Sequence, residues 1–374
     1  MIEHRGFGLY VHWPFCQSKC PYCDFNSHVA TGVDQSVWVS AFERELDRIG
    51  QITSGRVLNT VYFGGGTPSL MLPSTVDAIL RKVRSVWAVA NDLEITLEAN
   101  PTSAEMRNFE GYAEAGVNRV SVGVQALNDN DLRALGRLHS AAEAQSAVEM
   151  AMSVFPRVSF DLIYARQNQS LEDWRAELTF ALEMGANHLS LYQLTVEDGT
   201  VFGERFARGG LRGLPDEDLA ADMYELTQSL TEQAGLPAYE VSNHATPGAE
   251  SAHNQIYWKS HDWAGVGPGA HGRMTIDGKR LATEAHAMPT TWLSAVDGGS
   301  GDFVHSDLSG TDVFDEYLMM GLRLREGVRL EKEEISNRIM GLVNSGFLSY
   351  TDRTLKTTDR GRPVLNAILR DILI

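Results

Sequence analysis

Six short segments, nearly continuous in apolar character and rich in β-branched or aromatic residues, alternate with amphipathic helical patterns. The strand candidates are Gly8–Trp13, Thr60–Phe63, Leu93–Leu97, Arg119–Val124, Val158–Tyr164 and His188–Leu194. Between and after them the helical period runs over Val37–Ile49, Ser74–Trp87, Ala104–Ala115, Ala141–Met152, Leu171–Met184 and Asp216–Ala234. Strands of that composition alternating with helices predict βαβ units and a parallel sheet buried on both faces. Ser74 and Ser170 stand where helix N-caps belong, and Gly116 and Gly185 where helices stop. Six units are too few for a closed eight-stranded barrel, so the expected fold is α/β, a partial (β/α)6 barrel or open sheet. In either, ligands gather at the C-terminal ends of the strands.

Beyond residue 239 the pattern changes. Residues 240–311 read as a loop-rich connection, with glycine-dense runs at 265–272 and 297–310. Residues 312–374 read as helix, helix, hairpin and helix, a smaller winged-helix-like domain. Its surface is electrically balanced, with ten basic and ten acidic side chains over 311–374, which favours a packing role over DNA binding.

The chain of 374 residues carries a formal charge of −17, with 43% hydrophobic and 22% charged residues. Such an acidic globular composition disfavours nucleic acid or an anionic membrane as partner. No apolar run is long enough to insert stably in a bilayer. The N-terminal MIEHRGFGLYVHWPF lacks the apolar core of a signal peptide. The expectation is therefore a cytoplasmic, reducing compartment, where cysteines serve as ligands or catalysts more often than as disulfides.

All three cysteines fall within eight residues, Cys16-Gln-Ser-Lys-Cys20-Pro-Tyr-Cys23, directly after the first strand. Four thiolates usually close an iron–sulfur cluster. Three would leave one iron open to the amino and carboxylate groups of a small molecule. A zinc site would need His12 or His28 as fourth ligand, and three inert buried thiols is the plainest alternative.

This C-x3-C-x-aromatic-C motif after a first strand resembles the radical S-adenosylmethionine (SAM) superfamily. The resemblance extends through Tyr10–Cys16, Gly64-Gly65-Gly66-Thr67-Pro68, Glu98-Ala-Asn-Pro101, Gly123-Val-Gln125 and Asp161-Leu-Ile-Tyr164. These runs are similar to the branch related to oxygen-independent coproporphyrinogen III dehydrogenase. It implies a [4Fe-4S] cluster on Cys16, Cys20 and Cys23, with SAM on the open iron. Glycines 64–66 at a strand end would let backbone approach a ligand closely, and Glu98, Gln125 and Asp161 end the next three strands. Each of these polar side chains could equally be a cap or a buried hydrogen-bonding group. Tyr22 offers an aromatic face, and the resemblance adds Tyr10 and Arg137 as SAM contacts. Gln167-Asn168 stand where the family has Pro-Gly, a turn that Asn can still adopt.

Two functions compete within that branch: the radical dehydrogenase and the HemW-type haem chaperones, which bind haem and pass it to acceptor proteins. Phe25 stands where the dehydrogenases carry a further cysteine, and only nine residues precede Tyr10. His253-Asn254-Gln-Ile-Tyr257-Trp258 matches the chaperones' H-N-x-x-Y-W pattern. Imidazole is a common haem ligand, and Tyr257 and Trp258 offer flat apolar area to a macrocycle. Asn254 would orient the imidazole or cap a turn. The alternative is a structural His253 within a core, and His271 is a weaker second candidate. The resemblance thus implies a haem chaperone with [4Fe-4S], SAM and haem as cofactors.

Overall fold

The alternation of strands and helices builds a single large sheet. The computed structural model describes residues 6–373; residues 1–5, on which the reading of the N-terminus partly rests, lie outside them. Eleven strands join in this sheet among the described residues. They are β1 (Phe7–Trp13), β2 (Val57–Gly65), β3 (Ala88–Ala99), β4 (Arg119–Gln125), β5 (Arg157–Tyr164) and β6 (His188–Gln193). There follow β7 (Asn243–Ala245), β8 (Asp262–Val266), β9 (His271–Ile276), β10 (Lys279–Ala285) and β11 (Asp302–Asp307). The order is β11-β10-β9-β8-β1-β2-β3-β4-β5-β6-β7. From β8 through β1 to β6 all neighbours are parallel. β7 adds antiparallel on β6, and β9 to β11 add antiparallel on β8. The two ends of this order do not pair, so the barrel stays open.

The period-2 alternation of each strand divides its residues. Leu9, Val11, Val61, Phe63, Ile95, Leu97, Val120 and Val122 are buried in the apolar core under the helices. Tyr10, Tyr62, Glu98, Ser121, Ser159 and Asp161 face the other way and contact one another. A polar inner wall is thus interleaved with an apolar outer one.

Several boundaries differ from expectation. The helix expected over 104–115 is two, Ser103–Met106 and Phe109–Ala115. Ser74 does not cap its helix; Pro73 takes the first helical position, where its missing N–H costs nothing. Ser170 does cap Leu171–Glu183, in a reciprocal box with Asp173. Gly116 ends Phe109–Ala115 in the left-handed conformation.

The main departure is 240–311. This stretch, expected to be loop-rich, carries β7 to β11 and the helices Ala252–Trp258 and Pro289–Asp297. Its strands are short and punctuated by turns, such as Asp277-Gly278 with both φ values positive (49° and 79°), so no long apolar run announces them. Pro289–Asp297 packs on Gln35–Ile52 through Trp292 and Trp38, whose rings stack with centroids 5.6 Å apart. After Gly310–Gly321 come Asn337–Asn344, a hairpin (Leu348–Thr351 with Thr354–Thr357) and Leu365–Leu373. These form a second apolar cluster around Leu318, Leu322, Ile339, Leu355 and Ile368, in the winged-helix-like pattern.

Candidate functional site

Because the strands are parallel, the loop after β1, the turn after β2 and the ends of β3 to β5 meet at one rim. The cysteine loop starts in a two-residue strand, Phe15–Cys16, paired with His28–Val29. Cys16 is buried, while Cys20 and Cys23 are partly exposed and share a tight turn (Cys23 N–H to Cys20 O, 3.1 Å). Asn26 ties the loop down by donating from Nδ2 to the carbonyls of Pro268 and Ala287, both at 2.9 Å.

Two donors reach the sulfurs. The Thr67 hydroxyl donates to Cys16 Sγ at 3.4 Å, and Arg137 Nη1 to Cys20 Sγ at 3.5 Å. Asn100 joins them: its Nδ2 donates to Thr67 Oγ1 at 3.2 Å, and its Oδ1 accepts from Arg137 Nη2. Arg137 also holds the Gly123 carbonyl at 2.9 Å. Its place is the site, not the surface. Burial pushes the Cys16 and Cys23 thiols up.

Beside the loop lies a polar cup. The Tyr62 hydroxyl donates to Glu98 Oε1 at 2.8 Å, and Ser121 Oγ to Asp161 Oδ1 at 3.2 Å. Withdrawal from water pushes Glu98 up to about 7, against the pull of the Tyr62 hydroxyl and the Gly65 N–H; the neighbouring Asp161 adds to the rise. Asp161 is pushed up to about 6, again chiefly by burial, against the Ser190 and Ser121 hydroxyls. Gln125 sits at a register irregularity between β4 and β5 with φ 71°. A non-glycine residue held in that region is the kind of strain that collects at functional sites. Asn168 takes φ 58°, so the turn expected of Gln167-Asn168 does form.

Gly64, Gly65 and Gly66 are required by the chain's own packing. A Cβ on Gly64 would meet the Tyr10 ring at 2.8 Å, on Gly65 the His12 ring at 2.7 Å, and on Gly66 the Phe15 carbonyl at 2.7 Å. Gly65 has φ 112°. A side chain at Gly65 would therefore disturb the fold itself as well as any ligand beside it. Tyr22 packs its ring against Phe202 (centroids 6.4 Å) in a satellite apolar cluster, not as a free aromatic face.

His253, Asn254, Tyr257 and Trp258 lie elsewhere. Helix Ala252–Trp258 closes the opposite, N-terminal end of the strands, packing on β1, β2 and β8. His253 is 0% exposed. Its Nδ1 lies 2.7 Å from Thr60 Oγ1 and its Nε2 2.6 Å from the Tyr257 hydroxyl. Both imidazole nitrogens are thus engaged within the fold. Asn254 pairs with Tyr239 rather than orienting the imidazole, and Arg323 lies over the Trp258 ring at 5.4 Å. His271 is exposed at the start of β9.

Tyr62, Asn100, Asn26 and Glu94 were not legible as site residues. Asn100 stands inside the Glu98–Pro101 run, and that was its only signal.

Three thiols on one loop suit an iron–sulfur cluster with an open iron. Among the described residues no three Cys, His, Asp or Glu side chains already stand at metal-ligand spacing, so the fit rests on donor chemistry. Both nitrogens of His12 are engaged, by the Tyr10 hydroxyl at 3.1 Å and the Asn26 carbonyl at 2.9 Å, which weakens the zinc alternative. The cup, with two carboxylates, hydroxyls and an amide, suits a ligand carrying cationic and hydroxyl groups.

A sequence profile described as the radical SAM superfamily matches residues 10–181. The chain is 36% identical to "Heme chaperone HemW" of Escherichia coli (strain K12), over 99% of this chain and 98% of the relative. It is 37% identical to a Bos taurus protein named "Radical S-adenosyl methionine domain-containing protein 1, mitochondrial", over 98% and 87% respectively. The fold is similar to the solved structure of coproporphyrinogen III oxidase (HemN) from Escherichia coli, with a TM-score of 0.81 at 21% identity over 98% of this chain and 90% of that one.

Proposed function

Since this chain belongs to the radical SAM superfamily and, within it, to the HemW-type proteins, we propose that it is a haem chaperone that passes haem to acceptor proteins. The observation that carries the reading is the three-thiol loop set directly against the polar cup. Phe25, 61% exposed, stands where the related dehydrogenases carry a further cysteine.

Cys16, Cys20 and Cys23 would hold a [4Fe-4S] cluster, whose open iron supplies chelation of SAM and a route for an electron. The chain's own residues do the rest. Thr67 donates to Cys16 and so favours its thiolate form against the effect of burial, and Arg137 donates to the sulfur of Cys20. Asn100 fixes both donors. Tyr62 holds one face of the Glu98 carboxyl, leaving it and Asp161 to receive the polar and cationic groups of SAM. Tyr10, Gln125 and the 64–66 turn complete the wall.

Haem is the cargo in this reading, and the acceptors are proteins whose chemistry this chain does not specify. Three free thiols and the absence, among the described residues, of a helix long and apolar enough to cross a membrane suit a reducing compartment. We assign it to the cytoplasm. Residues 312–374 would form a separate packing module.

Haem titration of anaerobically reconstituted protein, run beside an assay for coproporphyrinogen III decarboxylation, tests the proposal. A stoichiometric Soret shift without carbon dioxide release is expected. SAM-dependent carbon dioxide release would assign the chain to the enzyme class instead.

A further inference from the structure

The base of the barrel and the cup above it form one hydrogen-bonded and stacked column. His253 stacks on Tyr62, with centroids 4.9 Å apart and planes 24° from parallel, and more loosely on Tyr10 at 6.5 Å. Tyr62 in turn aims its hydroxyl at Glu98.

We propose that His253 is a positioning residue for the cup, fixing the Tyr62 ring whose hydroxyl holds Glu98, and not an axial ligand of haem. The inference rests on the reading of the cup as the SAM site.

Four observations carry it. First, the imidazole is clamped on both sides, by Thr60 of β2 and by Tyr257 one helical turn on, so the ring cannot rotate without breaking a bond of 2.6–2.7 Å. Either tautomer satisfies this clamp, because each hydroxyl can donate or accept. Second, the helix that carries it is itself fixed. Glu94 accepts from the N–H groups of Ala252 (3.1 Å) and His253 (3.0 Å), and Arg157 pairs with Glu94 at 3.0 Å. A carboxylate at a helix N-terminus satisfies donors that otherwise lack partners and complements the helix dipole. Third, Gly8 makes room for the imidazole: a Cβ there would meet Thr60 Oγ1 at 2.8 Å and His253 Cε1 at 3.3 Å. Fourth, metal binding by this nitrogen pair would strip a partner from buried Thr60 or from half-buried Tyr257. An unpaired buried hydroxyl is costly, even before the helix is moved to admit a macrocycle.

The column explains why the imidazole has a ring's shape and two polar edges at once. The flat face packs Tyr62, and the two nitrogens lock that face in place. Without it Tyr62 gains rotational freedom below, and Glu98 keeps only the Gly65 N–H as a fixed partner.

The test uses the full chain, anaerobically reconstituted, as wild type, His253→Ala, His253→Phe and Tyr62→Phe. Iron per chain, SAM affinity from the spectrum of the reduced cluster, and haem equivalents from the Soret band are measured on each. In His253→Ala, iron and haem equivalents should stay at wild-type values while the SAM dissociation constant rises about tenfold. His253→Phe keeps a flat ring under Tyr62 and should recover part of that loss. Tyr62→Phe removes only the hydroxyl and should weaken SAM to a similar degree, which keeps the test open if His253→Ala does not fold. Unchanged SAM affinity in either His253→Ala or Tyr62→Phe overturns the proposal, whatever happens to thermal stability. So does loss of the haem band with SAM affinity retained, which would make His253 the axial ligand after all. Failure of the wild type to bind SAM removes the cup reading and this inference with it. Failure to bind haem would count against the chaperone reading alone.

Discussion

Arg137 Nη1 lies 3.5 Å from the sulfur of Cys20, a residue 117 positions earlier in the chain. The same guanidinium reaches Asn100, and Asn100 reaches Thr67, which donates to Cys16. Two of the three thiols are thus joined by a side-chain relay drawn from the ends of β2 and β3 and the segment after β4.

Replacing any one of Cys16, Cys20 or Cys23 by alanine leaves two thiols, too few to retain a cluster. Each variant should lose the broad visible absorbance and the bound iron of the reconstituted protein. One equivalent of zinc with no cluster in the wild type would refute the assignment of the loop.

Asn100→Ala breaks the relay at its centre. Thr67 and Arg137 each lose a partner in a partly buried place, at a cost of about 1–3 kcal/mol. A lower melting temperature and faster iron loss than wild type are expected. Iron retention equal to wild type would show that the two sulfur donors are held independently.

Glu98 and Asp161 carry folded-state values of about 7 and about 6, above their ordinary 4.5 and 3.8. Folding therefore favours the protonated forms. That contribution is complete below the ordinary values and is lost as pH rises through about 6 for Asp161 and about 7 for Glu98. The apo protein should lose stability across this window, and Glu98→Gln should flatten the loss. A cationic ligand favours the ionised carboxylates, so SAM affinity should rise over the same window. Melting curves and SAM titrations of wild type and Glu98→Gln at several pH values provide the check.

Gly65→Ala places a Cβ at φ 112°, against the His12 ring. The backbone term alone costs about 1–2 kcal/mol, and displacement of His12 adds to it. The melting temperature should fall by several degrees in the apo protein. An unchanged value would show that the turn relaxes freely.

Six of the seven parallel strands, β1 to β6, were legible because long apolar runs bounded by turn residues have one common reading. The cysteine loop was legible because side-chain identity and spacing suffice to define it. β8 to β11 escaped notice for the opposite reason: their residues are mixed in polarity and their turns so close that the segment reads as loop. Tyr62 was hidden inside an apolar strand, since its role depends on Glu98, 36 positions on. His253 shows the limit most clearly. His, Asn, Tyr and Trp in a short run suggest a binding surface, but composition does not reveal which way a helix turns. Ser251 as N-cap and Ile256 buried one turn later were the available signs of a packed helix.

The seal at the base of the barrel also sets an order of events during synthesis. Glu94 and Thr60 emerge from the ribosome more than 150 residues before the helix they hold. Until then β1 has one partner strand and one bare parallel edge, which Asp262–Val266 later covers. A nascent chain halted short of that point presents an open edge above an unsealed polar base, the combination most prone to pairing with other chains. The last third of the polypeptide therefore acts as the completion step for the first, and a chain cut off before Ala252, which lacks both the sealing helix and Asp262–Val266, is expected to be a substrate for chaperones and proteases before it is a protein.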